Sequence, residues 1–441
     1  MGDSSTDIKN VILLTIDGLR PDFLSCYKKN NTLAPFLSSI GDESVIFNNA
    51  ITSSSWTDPS IATIHTSTYS PNHGLRLNGQ KLENLDTPTI SEVLQEEGFS
   101  TIGAVGIESL NRRFNFHRGF KKFFDHNKYD RFLTSVGYKK YNLLNFGRFT
   151  KLIHPKYYHT KDGLKINNDI FNYISKSNIT SPTFLWIHFF DILRYRHQQH
   201  YTYLDNKRQA SKSDYLDWYD EGVKKVDNVV RNLFEQLTDL GLLEDSLVVI
   251  TADHGEHLFQ RNEKILSHGY SLYDEDLKVP LILFNKNLFE PKIIENLVGS
   301  IDIFPTILEL LNIKMLENFQ GQSLVPLIQG NNISEDRRIF SEAIAGDKKS
   351  VRTNEWKLIW AGDNQLLELG GTRDKELFNI REDPSEKHNV IEKNPELALS
   401  LGKDLSRVFP EIKNSDFNPK NLINEMDDDV KTLLKNLGYI K

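Results

Sequence analysis

Two acidic residues stand at the ends of apolar runs that lie far apart in the chain. Asp17 ends a run that begins at Asn10, and Asp253, followed by His254, ends a second run that begins at Leu247. Runs of this kind are typical of strands that are covered on both faces of a sheet. A carboxylate beside an imidazole suits Mn, Zn or a similar divalent ion, whereas sites made of carboxylates alone favour Mg or Ca. The pattern therefore predicts one metal centre supplied by both strand ends.

A hydroxyl group lies between these acids in the chain. Thr57 follows Ser53-Ser54-Ser55-Trp56 and precedes Asp58-Pro59-Ser60, a pattern typical of a helix start. One interpretation is an ordinary N-cap, and a lone aspartate at a strand end can also be a helix cap. The other is a nucleophile, because a helix N-terminus holds anions and a bound metal lowers the pKa of a hydroxyl. The residues alone leave both interpretations open.

Strands and helices alternate from residue 10 to about residue 310. This alternation predicts a mainly parallel sheet with helices on both sides, and working groups gather at the carboxyl ends of such strands. Asp17 and Asp253 lie at those ends. Strands are predicted at Val11–Ile16, Ser100–Val105, Thr183–Phe189, Ser246–Thr251 and Val279–Phe284, and helices at Thr89–Glu97, Tyr219–Leu240 and Asp302–Leu311.

The pattern changes after about residue 335. Short strand-like pieces separated by turns predict a small antiparallel sheet, and the chain from Asn394 on is predicted to be helical. We therefore predict a catalytic domain over residues 1–335 and a C-terminal subdomain over residues 336–441. The strand-like pieces are Arg338–Ala345, Ser350–Arg352, Trp356–Trp360 and Leu366–Leu369.

The composition is that of a soluble globular protein, with 39% hydrophobic and 26% charged residues. A net charge of −7 argues against a nucleic-acid-binding surface. No apolar stretch approaches the roughly 20 residues of a membrane span, and the polar start lacks the apolar core of a secretory signal. The single cysteine, Cys26, excludes an internal disulfide and a thiolate cluster. We expect a cytoplasmic protein without a transmembrane segment, and a homo-oligomer is possible.

A series of short motifs follows one order along the chain. In that order they resemble the sulfatase family of the alkaline phosphatase superfamily, from Asn10 to the C-terminus. The resemblance implies an α/β fold, an alkaline phosphatase-like three-layer sandwich with a mainly parallel central sheet and a small C-terminal antiparallel-sheet subdomain. The motifs are Asp17–Asp22, Trp56–Ser60 with Tyr69–Gly74, Leu110-Asn111 with Phe114–Phe120 and Phe123–Asp125, Trp186–Asp191, Asp253–Glu256, His268–Glu275, and Leu377–Ile380 with Asp383-Pro384.

The resemblance implies roles for particular residues and one divalent cation, which is Mn, Zn, Mg or Ca. Thr57 is the implied nucleophile and also touches the metal. The implied metal ligands are Asp17, Thr57, Asp253 and His254. Asn78, His188, Lys264 and His268 are candidates to hold the anionic substrate and to protonate the leaving group, since such side chains donate to phosphate or sulfate oxygens. We assign protonation of the leaving group to His268 and Lys264. Substrate binding is assigned to Asn78, His188, Asp191 and His197.

Four departures from the family pattern bear on the chemistry. Thr57 stands where formylglycine-dependent sulfatases have a cysteine or serine, and Ile61 stands where they have an arginine, so no formylglycine is expected. Gly18 replaces a second aspartate that many sulfatases carry. Leu193 replaces a histidine, which weakens the case for a second metal ion. Asp191, His197 and His268 can still support one.

The sequence thus predicts a metal-dependent hydrolase or transferase that acts on phosphate- or sulfate-type esters through Thr57. Threonine nucleophiles resemble the phosphorus-acting branches of the superfamily, so phosphodiesters and phosphonate monoesters are the expected substrates. The alternative is a sulfatase that works without formylglycine. An alternative of another class is a non-catalytic member that binds an anion. The expected partner is a small anionic ester, for example of a glycan or a lipid head group, and not nucleic acid.

Overall fold

The structure is a computed structural model. It describes residues 8–83, 86–125, 160–177, 179, 182–205, 210–261, 268–331, 333–334, 336–343, 348–361 and 375–413. None of the helices in these ranges combines the length and the apolar character that a bilayer crossing requires.

Nine strands of the described chain form one sheet in the order β4-β3-β5-β1-β6-β8-β2-β7, with β9 paired to β2. The pairs on either side of β1 are parallel, as are β3 with β4 and β5, and β2 with β9; β8 is antiparallel to β6 and β2. The strands are β1 (Asn10–Ile16), β2 (Val45–Ile51), β3 (Ser100–Val105), β4 (Lys122–Phe124), β5 (Thr183–Phe189), β6 (Ser246–Thr251), β7 (Lys278–Val279), β8 (Leu281–Phe284) and β9 (Lys292–Gly299).

Two groups of helices pack against this sheet and give the predicted three-layer arrangement. The helix α7 contacts α1, α5 and α6, whereas α2 contacts α3, α4 and α9. The helices are α1 (Pro35–Asp42), α2 (Thr57–Thr66), α3 (Ser70–His73), α4 (Ile90–Glu96), α5 (Gly163–Lys176), α6 (Asp191–Asp205), α7 (Lys212–Asp239), α8 (Asp274–Leu277), α9 (Ile303–Leu310), α10 (Val325–Ile328) and α11 (Pro395–Val408).

The predicted elements of the main sheet are confirmed with small shifts and one correction. The predicted strand Val279–Phe284 is divided at Pro280 into β7 and β8, because proline has no N–H to donate to a neighbouring strand. The helix predicted from Tyr219 begins at Lys212, where Ser211 and Asp214 form a reciprocal capping box. The strands β2, β4 and β9 were not predicted.

A second sheet lies near the C-terminus and is antiparallel, as predicted. Its strands are β10 (Ile339–Glu342), β11 (Lys348–Arg352), β12 (Trp356–Ala361) and β13 (Glu376–Asn379), in that order. The fourth strand is not the predicted piece Leu366–Leu369, which lies outside the described residues, as does the predicted helical tail beyond residue 413. The helix α11 buries Leu401 and Leu405 against this sheet.

The two sheets meet through hydrogen bonds and buried ion pairs. Ser341 Oγ donates to Thr52 O over 2.6 Å. Lys357 is 1% exposed, and its Nζ lies 2.8 Å from Asp274 Oδ1 and 2.7 Å from Glu386 Oε1. These contacts attach the second sheet beside the start of α2. The domain boundary at residue 335 stays a prediction.

Candidate active site

The carboxyl ends of three neighbouring strands converge on one point. The strand β1 lies between β5 and β6, with Thr15 paired to His188 on one side and to Thr251 on the other. Asp17 directly follows β1, and Asp253 comes two residues after the end of β6. Parallel strands in register bring such residues to the same edge of the sheet. Ligand atoms of Asp17, His188 and Asp253 therefore lie within 4.8 Å of one another, and all three residues are buried.

Thr57 points its hydroxyl group at this cluster from the first turn of α2. Its Oγ1 lies 3.4 Å from Asp17 Oδ2 and 3.2 Å from His254 Nε2. Trp56 occupies the N-cap position, so Thr57 is not the cap of this helix. The helix N-terminus carries a partial positive charge that favours an anion beside the hydroxyl. The structure thus brings together the four residues that the resemblance implies as metal ligands.

Two carboxylates in this cluster have an oxygen that lacks a hydrogen-bond partner among the described residues. These oxygens are Asp17 Oδ1 and Asp253 Oδ2, and both residues are fully buried. Burial and the neighbouring Asp253 raise the pKa of Asp17 well above its usual value. An unpartnered buried carboxylate oxygen is costly in free energy. A divalent cation bound by oxygen and nitrogen atoms would satisfy both oxygens, so the residues present fit the metal that the family implies.

The imidazole of His254 is held in one tautomer. Its Nδ1 lies 2.7 Å from Gly255 O, an acceptor, so Nδ1 carries the proton. The lone pair is therefore on Nε2, which lies 3.3 Å from Asp253 Oδ2 and faces Thr57. This lone pair can bind a cation or accept the hydroxyl proton, but not both at once.

His188 lies among the candidate metal ligands, closer to them than the predicted substrate-binding role requires. Its Nε2 lies 3.3 Å from Asp17 Oδ2, and its Nδ1 lies 2.9 Å from Thr15 Oγ1. Burial lowers its pKa to about 4, which keeps the ring neutral near pH 7. His188 is therefore a candidate metal ligand, which the sequence did not predict. The sequence signals were its place near the end of an apolar run and its place in the motif Trp186–Asp191.

His268, Glu256 and Arg196 form a buried chain beside His254. The rings of His268 and His254 are stacked with centroids 3.9 Å apart. His268 Nδ1 lies 2.9 Å from Glu256 Oε2, and Arg196 Nη1 lies 2.9 Å from Glu256 Oε1. Burial and His254 lower the pKa of His268 to about 4. Although burial alone would raise the pKa of Glu256, Arg196 and His268 bring it below its usual value. The sequence predictions gave no role to Glu256 or Arg196.

Asn78 places an unused hydrogen-bond donor near the start of α2. Its Oδ1 accepts the N–H of Asp58 over 2.9 Å, and its Nδ2 has no partner among the described residues. The Asp58 carboxylate is held in turn by Gly79 N at 2.6 Å and Ser109 Oγ at 2.7 Å. Burial raises the pKa of Asp58 well above its usual value. The position of Asn78 suits the predicted contact with an anionic substrate.

Three further residues were predicted to act in the site, and they are Asp191, His197 and Lys264. Asp191 Oδ1 accepts the N–H of Gly163 over 3.1 Å, so this carboxylate caps the start of α5, and burial raises its pKa to about 6. His197 lies one turn beyond Leu193 on α6, with its ring 5.9 Å from that of Phe190. Lys264 lies outside the described residues. Substrate binding by Asp191 stays a prediction, and its contacts with α5 do not support it.

Two departures from the family pattern lie directly against each other. A Cβ atom added at Gly18 would be 3.4 Å from the Leu193 side chain. Gly18 has a φ of +70°, which glycine adopts readily. Apolar atoms of Leu193 thus pack where the family pattern has an aspartate and a histidine. Ile61 is fully buried in the core, in place of the family's arginine.

Comparison with family models matches nearly the whole described chain. A model for the Sulfatase family matches residues 9–313. A second, for the C-terminal part of N-sulphoglucosamine sulphohydrolase, matches residues 267–411. The first match covers more than half of the 441 residues.

Curated relatives of the chain include arylsulfatase K proteins. Arylsulfatase K of Gallus gallus is 28% identical over 214 residues, which are 45% of this chain and 38% of that protein. The chain thus spans less than half the length of the curated relatives it matches.

Solved structures share the fold over most of the chain. A phosphonate monoester hydrolase of Agrobacterium radiobacter has a TM-score of 0.67 at 16% identity and covers 91% of this chain and 95% of its own. A protein in complex with its substrate D-glucosamine-2-N,6-O-disulfate has a TM-score of 0.66 at 15% identity and covers 92% and 99%. At these identities the likeness shows the fold alone.

Proposed function

We propose that this chain, which belongs to the sulfatase family, is an ester hydrolase that cleaves a sulfate-type ester with Thr57 as the attacking residue. The observation that carries the proposal is the buried Thr57 hydroxyl, placed between Asp17 and His254 at the start of a helix. The names of the relatives favour sulfate over the phosphodiester that threonine led us to expect. Sulfate hydrolysis without formylglycine is therefore the leading candidate.

Asp17, Asp253 and His254 would hold the divalent cation, together with His188 and the Thr57 hydroxyl. The cation supplies positive charge, which lowers the pKa of the hydroxyl and neutralises charge on the substrate. The unpartnered oxygens of Asp17 and Asp253 support this assignment. The identity of the ion, among Mn, Zn, Mg and Ca, is part of the proposal.

The remaining chemistry is assigned to side chains of this chain. Thr57 Oγ1 loses its proton to water and attacks sulfur; the new bond forms as the bond from sulfur to the leaving oxygen breaks. Asn78 Nδ2 donates to a non-bridging oxygen, and the leaving oxygen takes a proton from His268, which has first taken up that proton from water. A second water molecule then attacks the sulfur of the sulfo-threonine; as the bond between sulfur and Thr57 Oγ1 breaks, one proton of this water returns to Oγ1 and hydrogen sulfate departs. An acceptor alcohol in place of water would make the enzyme a transferase.

A second candidate is phosphonate monoester or phosphodiester hydrolysis by the same residues. Two observations favour it. Thr57 occupies the position at which formylglycine-dependent sulfatases have a cysteine or serine that can be converted, and the phosphonate monoester hydrolase shares the fold. The geometry around Thr57 serves a tetrahedral phosphorus centre as well as a sulfur centre. For either ester, the proposed leaving group is a sugar or a lipid head group. The proposed location of the protein is the cytoplasm, which subcellular fractionation would test.

The experiment measures hydrolysis of p-nitrophenyl sulfate and of p-nitrophenyl phenylphosphonate by protein stripped of metal and reloaded with each of the four ions. We expect Thr57→Ala to lower kcat by at least about 10³-fold on the ester that is cleaved, whereas Thr57→Ser retains turnover. Thr66→Ala, on the same helix with its hydroxyl bonded to Ala62 O, is the matched control.

Each outcome distinguishes one function from another. Faster sulfate cleavage supports the leading candidate, and faster phosphonate cleavage supports the second. Undiminished activity of Thr57→Ala would show that another residue attacks. No turnover with any ion, together with binding of sulfate, would favour the non-catalytic anion-binding alternative.

A further inference from the structure

Glu342 is a buried residue of the second sheet that meets the chain just before the helix α2. Its side chain is 4% exposed, and it is the last residue of β10. Its N–H donates to Ser53 O over 2.9 Å, and its backbone O accepts the N–H of Ser55 over 3.4 Å. Ser54 is thereby the bridge partner of Glu342. The second sheet thus pairs with the segment that leads into Thr57.

The side chain of Glu342 reaches the chain that follows α2. Its Oε2 accepts a hydrogen bond from Ser70 Oγ at the start of α3. Its Oε1 forms ion pairs, 3.4 Å from Arg76 Nε and 3.7 Å from Lys349 Nζ. Hydrogen bonds to an ionised carboxylate are stronger than those between neutral groups. One residue of the second sheet is therefore bonded to the chain before α2 and to the chain after it.

The helices α3 and α2 are attached to each other. Leu75 N donates to His73 Nδ1, so the neutral ring carries its proton on Nε2, which lies 3.1 Å from Thr63 Oγ1 in α2. Thr63 lies less than two turns beyond Thr57 on this helix. A cavity of only about 10 Å³ lies between Glu342 and the two helices. Because closely packed interiors transmit strain, a shift of Glu342 would move α2.

We infer that Glu342 is a positioning residue that sets the place of the Thr57 hydroxyl in the site through α2. Ser60 Oγ attaches the start of this helix to the end of β6, since it donates to Asp253 O over 2.6 Å. Glu342 adds contacts on both sides of the helix and so fixes its direction from that point. A reacting atom that is misplaced by about 1 Å can cost about 10²-fold in rate. The inference rests on the proposed function, in which Thr57 attacks the ester.

The test measures kcat and KM of Glu342→Ala on the p-nitrophenyl ester that the wild-type enzyme cleaves, at a saturating concentration of the ion. We expect kcat to fall by about 10-fold and KM to stay within about 2-fold, because a displaced oxygen slows the attack without removal of a group that binds the ester. The loss is moderate because Ser67 Oγ still donates to Ile301 O over 2.8 Å at the end of α2.

Glu342→Gln tests the link through Ser70. The amide oxygen of glutamine can still accept the hydrogen bond from the Ser70 hydroxyl, so we expect at least about a 3-fold recovery of kcat relative to Glu342→Ala. A glutamine variant that recovers nothing would overturn the link. If Glu342→Ala does not fold, Ser70→Ala decides: a lower kcat at an unchanged KM supports the inference, and an unchanged kcat overturns it.

Glu376→Ala is the matched control, since it removes a buried carboxylate from another strand of the same sheet. Its Oε2 accepts a hydrogen bond from the Tyr273 hydroxyl over 2.8 Å. We expect a loss of stability in thermal unfolding with unchanged kcat. An equal fall of kcat in Glu376→Ala and Glu342→Ala would overturn the inference, as would an unchanged kcat in Glu342→Ala or a loss that lies wholly in KM.

Failure of the inference is distinct from failure of the proposed function. If the wild type cleaves no ester, or Thr57→Ala remains active, the proposed function is wrong. If the wild type is active and Thr57→Ala is not, while Glu342→Ala keeps the kcat of the wild type, only the positioning role is wrong.

Discussion

Thr57 owes its predicted reactivity to neighbours that come from two separate parts of the chain. Asp17, Asp253 and His254 surround its hydroxyl, and each is fully buried. Removal of water from such a site strengthens every electrostatic interaction within it. The departures at Gly18 and Leu193 lie side by side as a packing pair, so both replacements fall at one place in the site.

At the residue scale, Asn78→Ala separates binding of the substrate from support of the helix. The change removes the bond to Asp58 N and the unpartnered Nδ2 donor. We expect the free energy of unfolding to fall by about 1 kcal/mol and kcat/KM to fall by about 10- to 100-fold, since one donor to a charged oxygen is lost. Thermal unfolding and steady-state kinetics measure the two effects.

Ser109→Ala is the control for Asn78. It removes the hydrogen bond of 2.7 Å to Asp58 Oδ1 and no donor that faces the hydroxyl of Thr57. A similar loss of stability with unchanged kcat/KM is expected. A parallel loss of kcat/KM in both variants would mean that Asn78 acts only through the helix.

At the scale of elements, the site depends on how helices are set against the sheet. Ser60 Oγ in α2 donates to Asp253 O over 2.6 Å, which attaches the helix of Thr57 to the end of β6. The helix α6, which carries Arg196, crosses α7 at Gly222. A Cβ atom there would lie 2.8 Å from Ile192 O and 2.9 Å from Ile192 Cα. Close approach of the two helices therefore needs a glycine at this position.

The same substitution in two helices is expected to have opposite effects. Gly222→Ala places a methyl group against the backbone of α6, and we expect a loss of about 1–3 kcal/mol in stability. Gly402→Ala in α11 meets only Trp360 at an ordinary 3.5 Å, and the higher helix propensity of alanine is expected to add up to about 1 kcal/mol. Chemical denaturation measures both; a stabilised Gly222→Ala would contradict the close packing of α6 on α7.

At the scale of the whole molecule, the chain buries several histidines in neutral form. His73 accepts the N–H of Leu75 at Nδ1 over 3.1 Å, so a proton cannot be added there without loss of that bond. His65 stacks edge-on against Trp186 with ring centroids 4.2 Å apart. Burial lowers the pKa of each to about 3, with smaller contributions from His188 to His65 and from Arg76 to His73.

These histidines predict a loss of stability in acid. The unfolded chain binds their protons near pH 6.5 and the folded chain only near pH 3, so the unfolded state gains protons as the pH falls between these values. The free energy of unfolding is expected to decrease over this range by about 1.4 kcal/mol per pH unit for each histidine. His73→Gln and His65→Gln should each reduce the slope by one proton in urea titrations from pH 7 to pH 4. An unchanged slope in both variants would contradict the prediction.

Much of the fold and of the candidate site could be predicted from the sequence. Apolar runs that end in Asp17 and Asp253, with a hydroxyl at a helix start between them, predicted strands, a helix and a metal centre, because local periodicity reports burial. The family motifs added the fold, the candidate ligands and the absence of a convertible residue at Thr57. Strand β2, which holds Asn48 and Asn49, was missed because partner strands, and not its own pattern, make it a strand.

What the sequence determined by itself is the set of reactive groups, since their chemistry depends on residue type and their local setting on a few neighbours. What only the tertiary structure decided is which groups meet. His188 lies beside Asp17 and Asp253 because β5 is next to β1 in parallel register. Asp191 caps α5 because that helix begins beside it. Glu256 reaches His268 and Arg196 across 12 and 60 positions of the chain, a contact that no local pattern encodes, since strand order and helix crossing set such distances.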